Sequence, residues 1–277
     1  MSELVFPYNF HTHSLYCDGN DSLFDMAKAA YEKGFRTLGF SGHLYVGGTS
    51  VSMSDGAIEA YKDDIAVLKK MYDGKMDILC GAEADFFDDH CLDGFEYVIQ
   101  SVHDIKVEED GETFYIPLDH KEEITVDAVE RYFGGDWYAL AEYFFDLEGQ
   151  IAEKDRVDII GHFDYLSKYN KNQCLFREDE PRYIAAWKKA VDRLLPLGKP
   201  FEINTSVFYR GMRDRPYPAD DILEYIFSKG GKITFSGDVH SKERLYAGFE
   251  DAIARAKRIG FTSAVVLTKD GPKDAGI

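Results

Sequence analysis

Short apolar stretches with strand character alternate with stretches of helical length along most of the 277-residue chain. This order is typical of βα units, in which consecutive strands run parallel and each connection crosses over through a helix. We therefore expect an α/β fold, and a barrel of parallel strands reaches this chain length as a single unit. The predicted strands are 4–10, 37–40, 78–82, 97–102, 157–161, 201–203 and 233–236, followed by a short apolar run at 263–267.

The connecting segments carry helix and turn signals. Ser22 and Gly34 are typical of the two ends of a first helix. The interval 105–154 is longer than one βα unit requires, and it contains Gly111 in a predicted hairpin turn and a helix at 136–152 rich in Tyr and Phe. We interpret it as an insertion of loop and helix into a single domain covering residues 1–277. Further helices are predicted at 56–72, 180–195, 219–228 and 250–258.

Composition excludes several classes of protein. The formal net charge of −18 argues against nucleic acid as a partner, because neutralising phosphates requires clustered Lys and Arg. No stretch approaches the roughly 20 apolar residues that span a bilayer, and the N-terminus lacks the pattern of a signal peptide. The four cysteines show no paired spacing, so we expect reduced thiols and a cytoplasmic location. They are Cys17, Cys80, Cys91 and Cys174.

The first predicted strand leads directly into a His-x-His motif, His11-Thr12-His13. Residues two apart on a strand point to the same side, so the two imidazoles can face one point, and Asp18 can approach from the following loop. Imidazole and carboxylate are ligands that suit Zn, Mn and Fe. By itself the motif is equally compatible with two histidines that form local hydrogen bonds.

The positions of the other histidines favour the metal interpretation. Six of the eight histidines fall at the carboxyl end of a predicted strand, and two carboxylates occupy equivalent places. In a parallel barrel these ends converge on one mouth, where active sites lie. Histidines scattered through a core would have no reason to choose strand ends. The set comprises His11, His13, His43, His103, His162, His240, Glu83 and Asp238, whereas His90 and His120 lie outside it.

Six imidazoles and three carboxylates, with Asp18 included, are too many for one tetrahedral site and suit two or three metals bridged by carboxylates. Three divalent ions against three carboxylates would leave a net charge of about +3 in an otherwise acidic protein. Such a charge would attract a phosphate dianion and form hydroxide from bound water at neutral pH. The composition of the set therefore predicts phosphoryl chemistry.

The order His-x-His, His, Glu, His, His and Asp-x-His resembles the polymerase-and-histidinol-phosphatase (PHP) family, and the match spans His11 to His240. Within that family the chain is most similar to the branch of monofunctional histidinol-phosphate phosphatases. A Glu-x-Asn-Thr-Ser stretch followed by Tyr-Pro favours this branch. The supporting stretches are Ser101-Val102-His103-Asp104, Gly161-His162-Phe163-Asp164, Glu202-Ile203-Asn204-Thr205-Ser206, Pro216-Tyr217-Pro218 and Ser236-Gly237-Asp238-Val239-His240.

The resemblance implies a distorted TIM-like (βα)7 barrel with three divalent metal ions, which could be Zn, Fe or Mn. Nine residues match the family's metal ligands. One metal would take His11, His13, Glu83 and Asp238; a second would take His103 and His162 with Glu83 as a bridge; the third would take Asp18, His43 and His240, with Asp238 as a further possible bridge.

The implied activity is hydrolysis of L-histidinol phosphate to L-histidinol and phosphate, in histidine biosynthesis, by a hydroxide that bridges metals. Family members grip the phosphate with arginines, and Arg177 and Arg210 lie in the matching regions. The leaving alkoxide needs a proton or a metal. Asp104, Asp164 and His240 are the candidate donors, and the sequence does not choose among them.

Two positions depart from the family pattern. Gly42 stands before His43 where relatives usually carry an acidic residue, and Val207 stands where the branch commonly has Gly. The second departure leaves open another small phosphorylated substrate, such as a nucleotide, a sugar phosphate or phosphotyrosine. A third hypothesis is a metal-binding module without catalytic activity, against which the complete set of nine ligands argues.

Overall fold

The computed structural model describes residues 4–45 and 51–277. Its centre is a seven-stranded sheet in which every hydrogen-bonded neighbour is parallel. In spatial order, these strands are β1 (Tyr8–Asn9), β2 (Thr37–Leu44), β3 (Asp77–Asp85), β4 (Tyr97–Ser101), β7 (Ile159–Ile160), β8 (Pro200–Asn204) and β9 (Lys232–Ser236). The helices between and after them are α1 (Leu23–Lys33), α2 (Asp55–Met71), α3 (Glu122–Tyr132), α4 (Trp137–Gln150), α5 (Pro181–Leu194), α6 (Ser206–Tyr209), α7 (Asp220–Ser228) and α8 (Phe249–Ile259).

The two edge strands of this sheet meet just beyond their carboxyl ends. The backbone N–H of His13 donates to the carbonyl of Val239 at 2.8 Å, and the N–H of Val239 donates to the carbonyl of His11 at 3.1 Å. These bonds join the segments that follow β1 and β9 and close the sheet almost into a barrel. The α/β barrel expected from the sequence is confirmed.

A tyrosine inside the barrel ties three strands together. The Tyr97 hydroxyl donates a shared hydrogen bond to two carbonyls, that of Phe10 at 2.7 Å and that of Phe40 at 2.9 Å. The ring passes so close to β2 and β3 that a Cβ on Gly39 would lie 2.4 Å from the hydroxyl, and one on Gly81 only 2.2 Å from the ring. Both glycines are therefore required by close approach, and they hold the strands that carry the site in register.

The segment predicted as an insertion contains an antiparallel hairpin of β5 (Asp104–Glu109) and β6 (Glu112–Pro117), with Asp110 and Gly111 at its turn. Both turn residues have positive φ, which favours Gly at the second position. Helix α3, which the sequence analysis did not predict, follows the hairpin. Helix α4 then packs along α5 and returns the chain to the barrel.

Two segments differ from the predictions. Strand β1 is two residues long, because the backbone of the predicted strand 4–10 pairs with β2 only at Tyr8 and Asn9. The apolar run near the C-terminus forms β10 (Ser263–Val266), which pairs antiparallel with β11 (Lys273–Gly276) in a separate two-stranded sheet. The predicted loop 46–55 lies partly outside the described residues. Within the described part of the chain, no helix is long and apolar enough to cross a membrane.

Candidate metal centre

The structure brings all nine predicted ligands together at the carboxyl ends of the barrel strands. His43 and Glu83 lie within β2 and β3 and are direct neighbours in the register of those strands. The others follow β1, β4, β7 and β9 by a few residues at most, except Asp18, which comes from the loop after β1. The carboxyl ends of six strands and the segments that follow them therefore direct side chains into one volume, as parallel barrels do at this face.

The Glu83 carboxylate lies at the centre of the cluster and is 1% exposed. One oxygen, Oε2, lies 2.9 Å from both His11 Nε2 and His43 Nδ1. The other, Oε1, lies 3.2 Å from His103 Nε2 and 3.0 Å from His162 Nε2. The two oxygens thus face different pairs of imidazoles, which is the arrangement expected of a carboxylate that bridges two cations.

A second carboxylate, Asp18, lies on the outer side of the cluster. Its Oδ2 lies 3.0 Å from His240 Nε2, and its Oδ1 lies 3.6 Å from His43 Nε2 and 3.7 Å from His13 Nδ1. Asp238 approaches from the other side, with Oδ1 at 3.3 Å from His13 Nε2. These donors surround a volume that is adjacent to the one around Glu83 but distinct from it.

The donor set fits divalent metal ions. Several buried atoms of the cluster have no hydrogen-bond partner in the described part of the chain, including His11 Nε2, His43 Nδ1 and Glu83 Oε2. These atoms approach one another closely, yet they are not aligned as donor and acceptor. His103 Nε2 and His162 Nε2 also face each other at 3.1 Å. Buried polar atoms without partners are costly, and a shared cation would satisfy them together.

Electrostatics in the cluster favour the ligand forms of several groups. Burial and the neighbouring imidazoles of His43 and His240 lower the pKa of His13 to about 3, which keeps it neutral and able to bind a metal. Burial alone would raise the pKa of Glu83, but His11, His43 and His103 hold it well below its ordinary value. Glu83 is therefore an ionised acceptor at any ordinary pH.

Two acids outside the predicted set contact histidines of the cluster. Glu202, which is fully buried, lies with Oε1 at 2.6 Å from His11 Nδ1, and its Oε2 accepts the backbone N–H of His162 at 2.8 Å. Asp85 accepts the backbone N–H of His103 at 2.9 Å. A carboxylate behind a ligand histidine fixes its tautomer and leaves the other nitrogen free for a metal. The position of Glu202 in the Glu-x-Asn-Thr-Ser stretch that supports the family resemblance was the available signal for its role.

Of the two predicted phosphate-binding arginines, the structure brings one to the cluster. An Arg210 guanidinium nitrogen lies 2.9 Å from His240 Nδ1, beside a pocket of about 520 Å³ that Asp18 and Arg244 also line. The Arg177 side chain is 70% exposed and pairs with Asp179, and it contacts none of the nine residues. Two short 3₁₀ turns, Tyr165–Ser167 and Lys171–Gln173, precede an exposed loop that carries Arg177 away from the mouth.

A cation that the sequence analysis missed lies where Arg177 was expected. Lys168 is 7% exposed, and its ammonium donates to the Asp119 carbonyl at 3.0 Å and to the Tyr165 hydroxyl at 3.2 Å. Burial and the neighbouring Arg210 lower the pKa of Lys168, whereas Asp119 raises it. The two cations are therefore close enough to affect each other. Lys168 follows the Gly-His-Phe-Asp stretch by four residues, which was its only sequence signal.

The two acids that were predicted as proton donors, Asp104 and Asp164, have different surroundings in the structure. Asp104 lies next to His103, and burial together with Asp85 raises its pKa to about 7. Asp164 accepts the backbone N–H of Ala219 at 3.1 Å, and burial raises its pKa to about 6. Asp164 thus holds a loop against the barrel, whereas the Asp104 side chain forms no hydrogen bond within the described ranges.

The fold and the cluster together define an α/β-barrel protein whose mouth gathers histidines and carboxylates suited to binding metal. A family model described as the PHP domain matches residues 9–206. The chain belongs to the PHP domain family.

Individual relatives agree over almost the full length of the chain. A protein of Schizosaccharomyces pombe named "Probable histidinol-phosphatase" is 25% identical over 98% of this chain and 92% of its own. The histidinol-phosphatase of Bacillus subtilis is 23% identical over 88% of this chain and 97% of its own. The crystal structure of histidinol phosphate phosphatase from Lactococcus lactis, complexed with Zn, L-histidinol and phosphate, has a TM-score of 0.70 and 19% identity over 96% of this chain and 98% of its own. This last likeness shows that the two proteins share the fold.

Proposed function

We propose that this protein is a metal-dependent phosphomonoesterase that hydrolyses L-histidinol phosphate to L-histidinol and phosphate. The observation that carries the proposal is the buried cluster of imidazoles and carboxylates with Arg210 beside it. Several of its facing atoms, among them His11 Nε2, His43 Nδ1 and Glu83 Oε2, have no hydrogen-bond partner in the described part of the chain. Membership of the PHP family and relatives named as histidinol phosphatases support the choice of substrate.

We propose that the cluster holds three divalent ions, which could be Zn, Fe or Mn. When bound, they would act as Lewis acids toward the phosphoryl group and lower the pKa of water. Glu83 would bridge two of them, because its two oxygens face different pairs of imidazoles. The nine residues that would hold them are His11, His13, Asp18, His43, Glu83, His103, His162, Asp238 and His240.

Around this centre, the chain's own residues would bind and orient the ester. Arg210 and Lys168 bring two positive charges to the mouth, and a guanidinium can bind two phosphoryl oxygens at once. Glu202 would keep the His11 imidazole in one tautomer and orientation. These groups act before any bond breaks, by fixing the phosphoryl group at the cluster.

Of the candidate donors for the leaving alkoxide, Asp104 has the most suitable properties. Its side chain forms no hydrogen bond within the described ranges, and burial together with Asp85 raises its pKa, which favours the protonated form that a donor needs. His240 is occupied by contacts to Asp18 and Arg210, and Asp164 by its bond to Ala219. We therefore assign proton donation to Asp104.

The test is phosphate release from histidinol phosphate, nucleoside monophosphates, sugar phosphates and phosphotyrosine, with added Mn or Zn and with chelator. We expect strong, chelator-sensitive preference for histidinol phosphate. Equal, slow and chelator-sensitive activity on all esters would retain a metal-dependent phosphatase and reject the assigned substrate. No activity from protein that binds metal would favour a binding module instead.

A further inference from the structure

The loop that follows the β5–β6 hairpin carries a carboxylate, Asp119, to the mouth of the barrel. Its backbone carbonyl accepts hydrogen bonds from Lys168 at 3.0 Å and from the Tyr169 hydroxyl at 2.6 Å. Its side-chain oxygen Oδ2 accepts the Tyr165 hydroxyl at 3.0 Å. Three side chains from the segment after β7 thus fix both the backbone and the carboxylate of this loop residue.

The Tyr165 ring lies between Asp119 and two of the proposed metal ligands, His162 and His103. The Tyr165 ring stacks on the His162 ring with centroids 4.1 Å apart, and it lies edge-on to His103 at 5.1 Å. Because the hydroxyl at the far end of this ring binds Asp119, the carboxylate lies beside the cluster without contacting it. A substrate group that extends from the cluster along the Tyr165 ring would therefore meet Asp119.

The Asp119 carboxylate retains capacity for another donor. An ionised carboxylate offers about four acceptor positions, and one of them is used by a described residue, Tyr165. Lys168 Nζ lies 3.7 Å from Oδ2, beyond hydrogen-bond distance, and bonds to the backbone instead. The side chain is 31% exposed. Burial alone would raise the pKa of Asp119, but Lys168 and His103 lower it, so the group is ionised at neutral pH.

Lys168 and Asp119 form a pair of opposite charges whose spacing matches that of an aminoalkyl phosphate. In a phosphate ester of a 2-amino alcohol, four bonds of roughly 1.5 Å separate phosphorus from the amine, which places the two charges about 4–5 Å apart. The cation and the carboxylate of the protein are 3.7 Å apart. If the phosphoryl group of such an ester binds near Lys168, the ammonium group of the same ester lies near Asp119.

We propose that Asp119 binds the substrate's ammonium group and selects phosphate esters of 2-amino alcohols over esters without an amine. This inference rests on the proposed phosphomonoesterase function and deepens it. The insertion between β4 and β7 supplies the selective contact, while the barrel strands supply the phosphoryl site. Asp119 is a specificity residue that touches the substrate.

The test compares ethanolamine phosphate with ethyl phosphate, two esters that differ only in the amine. We expect the wild-type protein loaded with Zn to prefer ethanolamine phosphate by about 10- to 100-fold in kcat/KM, as one hydrogen bond to a charged group allows. Asp119→Asn, which keeps an acceptor for Tyr165, should abolish this preference, because kcat/KM for ethanolamine phosphate falls more than kcat/KM for ethyl phosphate. Asp127→Asn, at an exposed acid of the same insertion, is the matched control and should retain it.

Three results would overturn the role of Asp119: no amine preference in the wild type, an unchanged preference in Asp119→Asn, or equal losses on both esters. If the variant does not fold, the wild-type protein provides the test. Its preference must disappear as pH rises above the pKa of the amine of ethanolamine phosphate, about 10. A preference for ethanolamine phosphate over ethyl phosphate, without hydrolysis of histidinol phosphate, would reject the proposed substrate but support the role of Asp119. If neither ester is hydrolysed, calorimetric titration of both into the Zn-loaded protein makes the same comparison.

Discussion

At the scale of single residues, Glu202 shows how a buried charge can serve a site that it does not enter. It contacts the His11 ring and the backbone of His162, and Asn204 and Ser236 also donate to it. We predict that Glu202→Gln lowers metal affinity by about 10- to 100-fold, because the imidazole loses the charge that orients it. Competition with a metal chelator measures this loss.

Glu224→Gln is the matched control for Glu202→Gln, because Glu224 lies exposed on α7. Its metal affinity should equal that of wild type. Equal affinity in both variants would show that Glu202 supports the fold of the strand ends without tuning the ligands.

Glu148 is a second buried acid, and it makes stability depend on pH. It lies fully buried on α4, and neither carboxyl oxygen has a hydrogen-bond partner in the described part of the chain. Burial raises its pKa well above the ordinary value of 4.5, and Asp164 and Asp85 add to this effect. The folded state therefore keeps a proton that the unfolded state loses as pH rises above 4.5.

Because the unfolded state then binds fewer protons, Glu148 makes the protein less stable as pH rises, by up to about 1.4 kcal/mol per pH unit. We predict that Glu148→Gln reduces the fall in unfolding free energy as pH rises above 4.5, measured by urea denaturation. The exposed acid Glu142, on the same helix, is the control, and Glu142→Gln should keep the wild-type slope. An unchanged slope in Glu148→Gln would mean that Glu148 is ionised in the folded protein.

At the scale of elements, the close approach of β3 to the Tyr97 ring positions Glu83. A Cβ on Gly81 would lie 2.2 Å from that ring. The hydroxyl of the ring is hydrogen-bonded to two carbonyls, which restricts its movement. We predict that Gly81→Ala destabilises the protein by about 1–3 kcal/mol, as overpacking of a core does. Activity should fall as well, because Glu83 follows two residues later on the same strand.

Helix α2 offers the control for this substitution. A Cβ on Gly56 would meet no atom of residues 4–45 or 51–277 within 4 Å, so Gly56→Ala should stabilise the protein by about 0.4–1 kcal/mol through the unfolded state. Chemical denaturation compares the two variants. Similar effects at both positions would contradict a steric role for Tyr97.

At the scale of the whole molecule, the proposed metal centre and barrel closure share residues. The bonds that join the ends of β1 and β9 involve the backbones of His11 and His13, whose side chains lie in the cluster. Ligands that bind only the folded state stabilise it by about 4 kcal/mol at a thousand-fold excess over Kd. We predict that chelator lowers the Tm by about 10 °C and that added Zn restores it, measured by calorimetry. An equal Tm for protein shown to be metal-loaded and metal-free would argue against a centre that supports closure.

Much of the candidate site could be predicted because its geometry is local. A residue at the carboxyl end of a strand in a parallel barrel faces the mouth wherever that strand lies, so His43, Glu83 and His103 needed only a correct strand assignment. The family resemblance then added the order of the motif and the chemistry. The parallel α/β barrel could be predicted from the alternation of strands and helices, because the residue pattern of each segment indicates whether it is a strand or a helix.

Tertiary structure decided the features that depend on contacts between distant segments. Arg177 and Lys168 are nine residues apart in one loop region, and only packing against Asp119 and Tyr165 showed which cation faces the mouth. The role of Glu202 depends on its meeting a histidine 191 positions earlier in the chain. Periodicity and spacing describe one segment at a time, so they determined the strand ends. The partners that those ends meet are set by how the closed barrel packs.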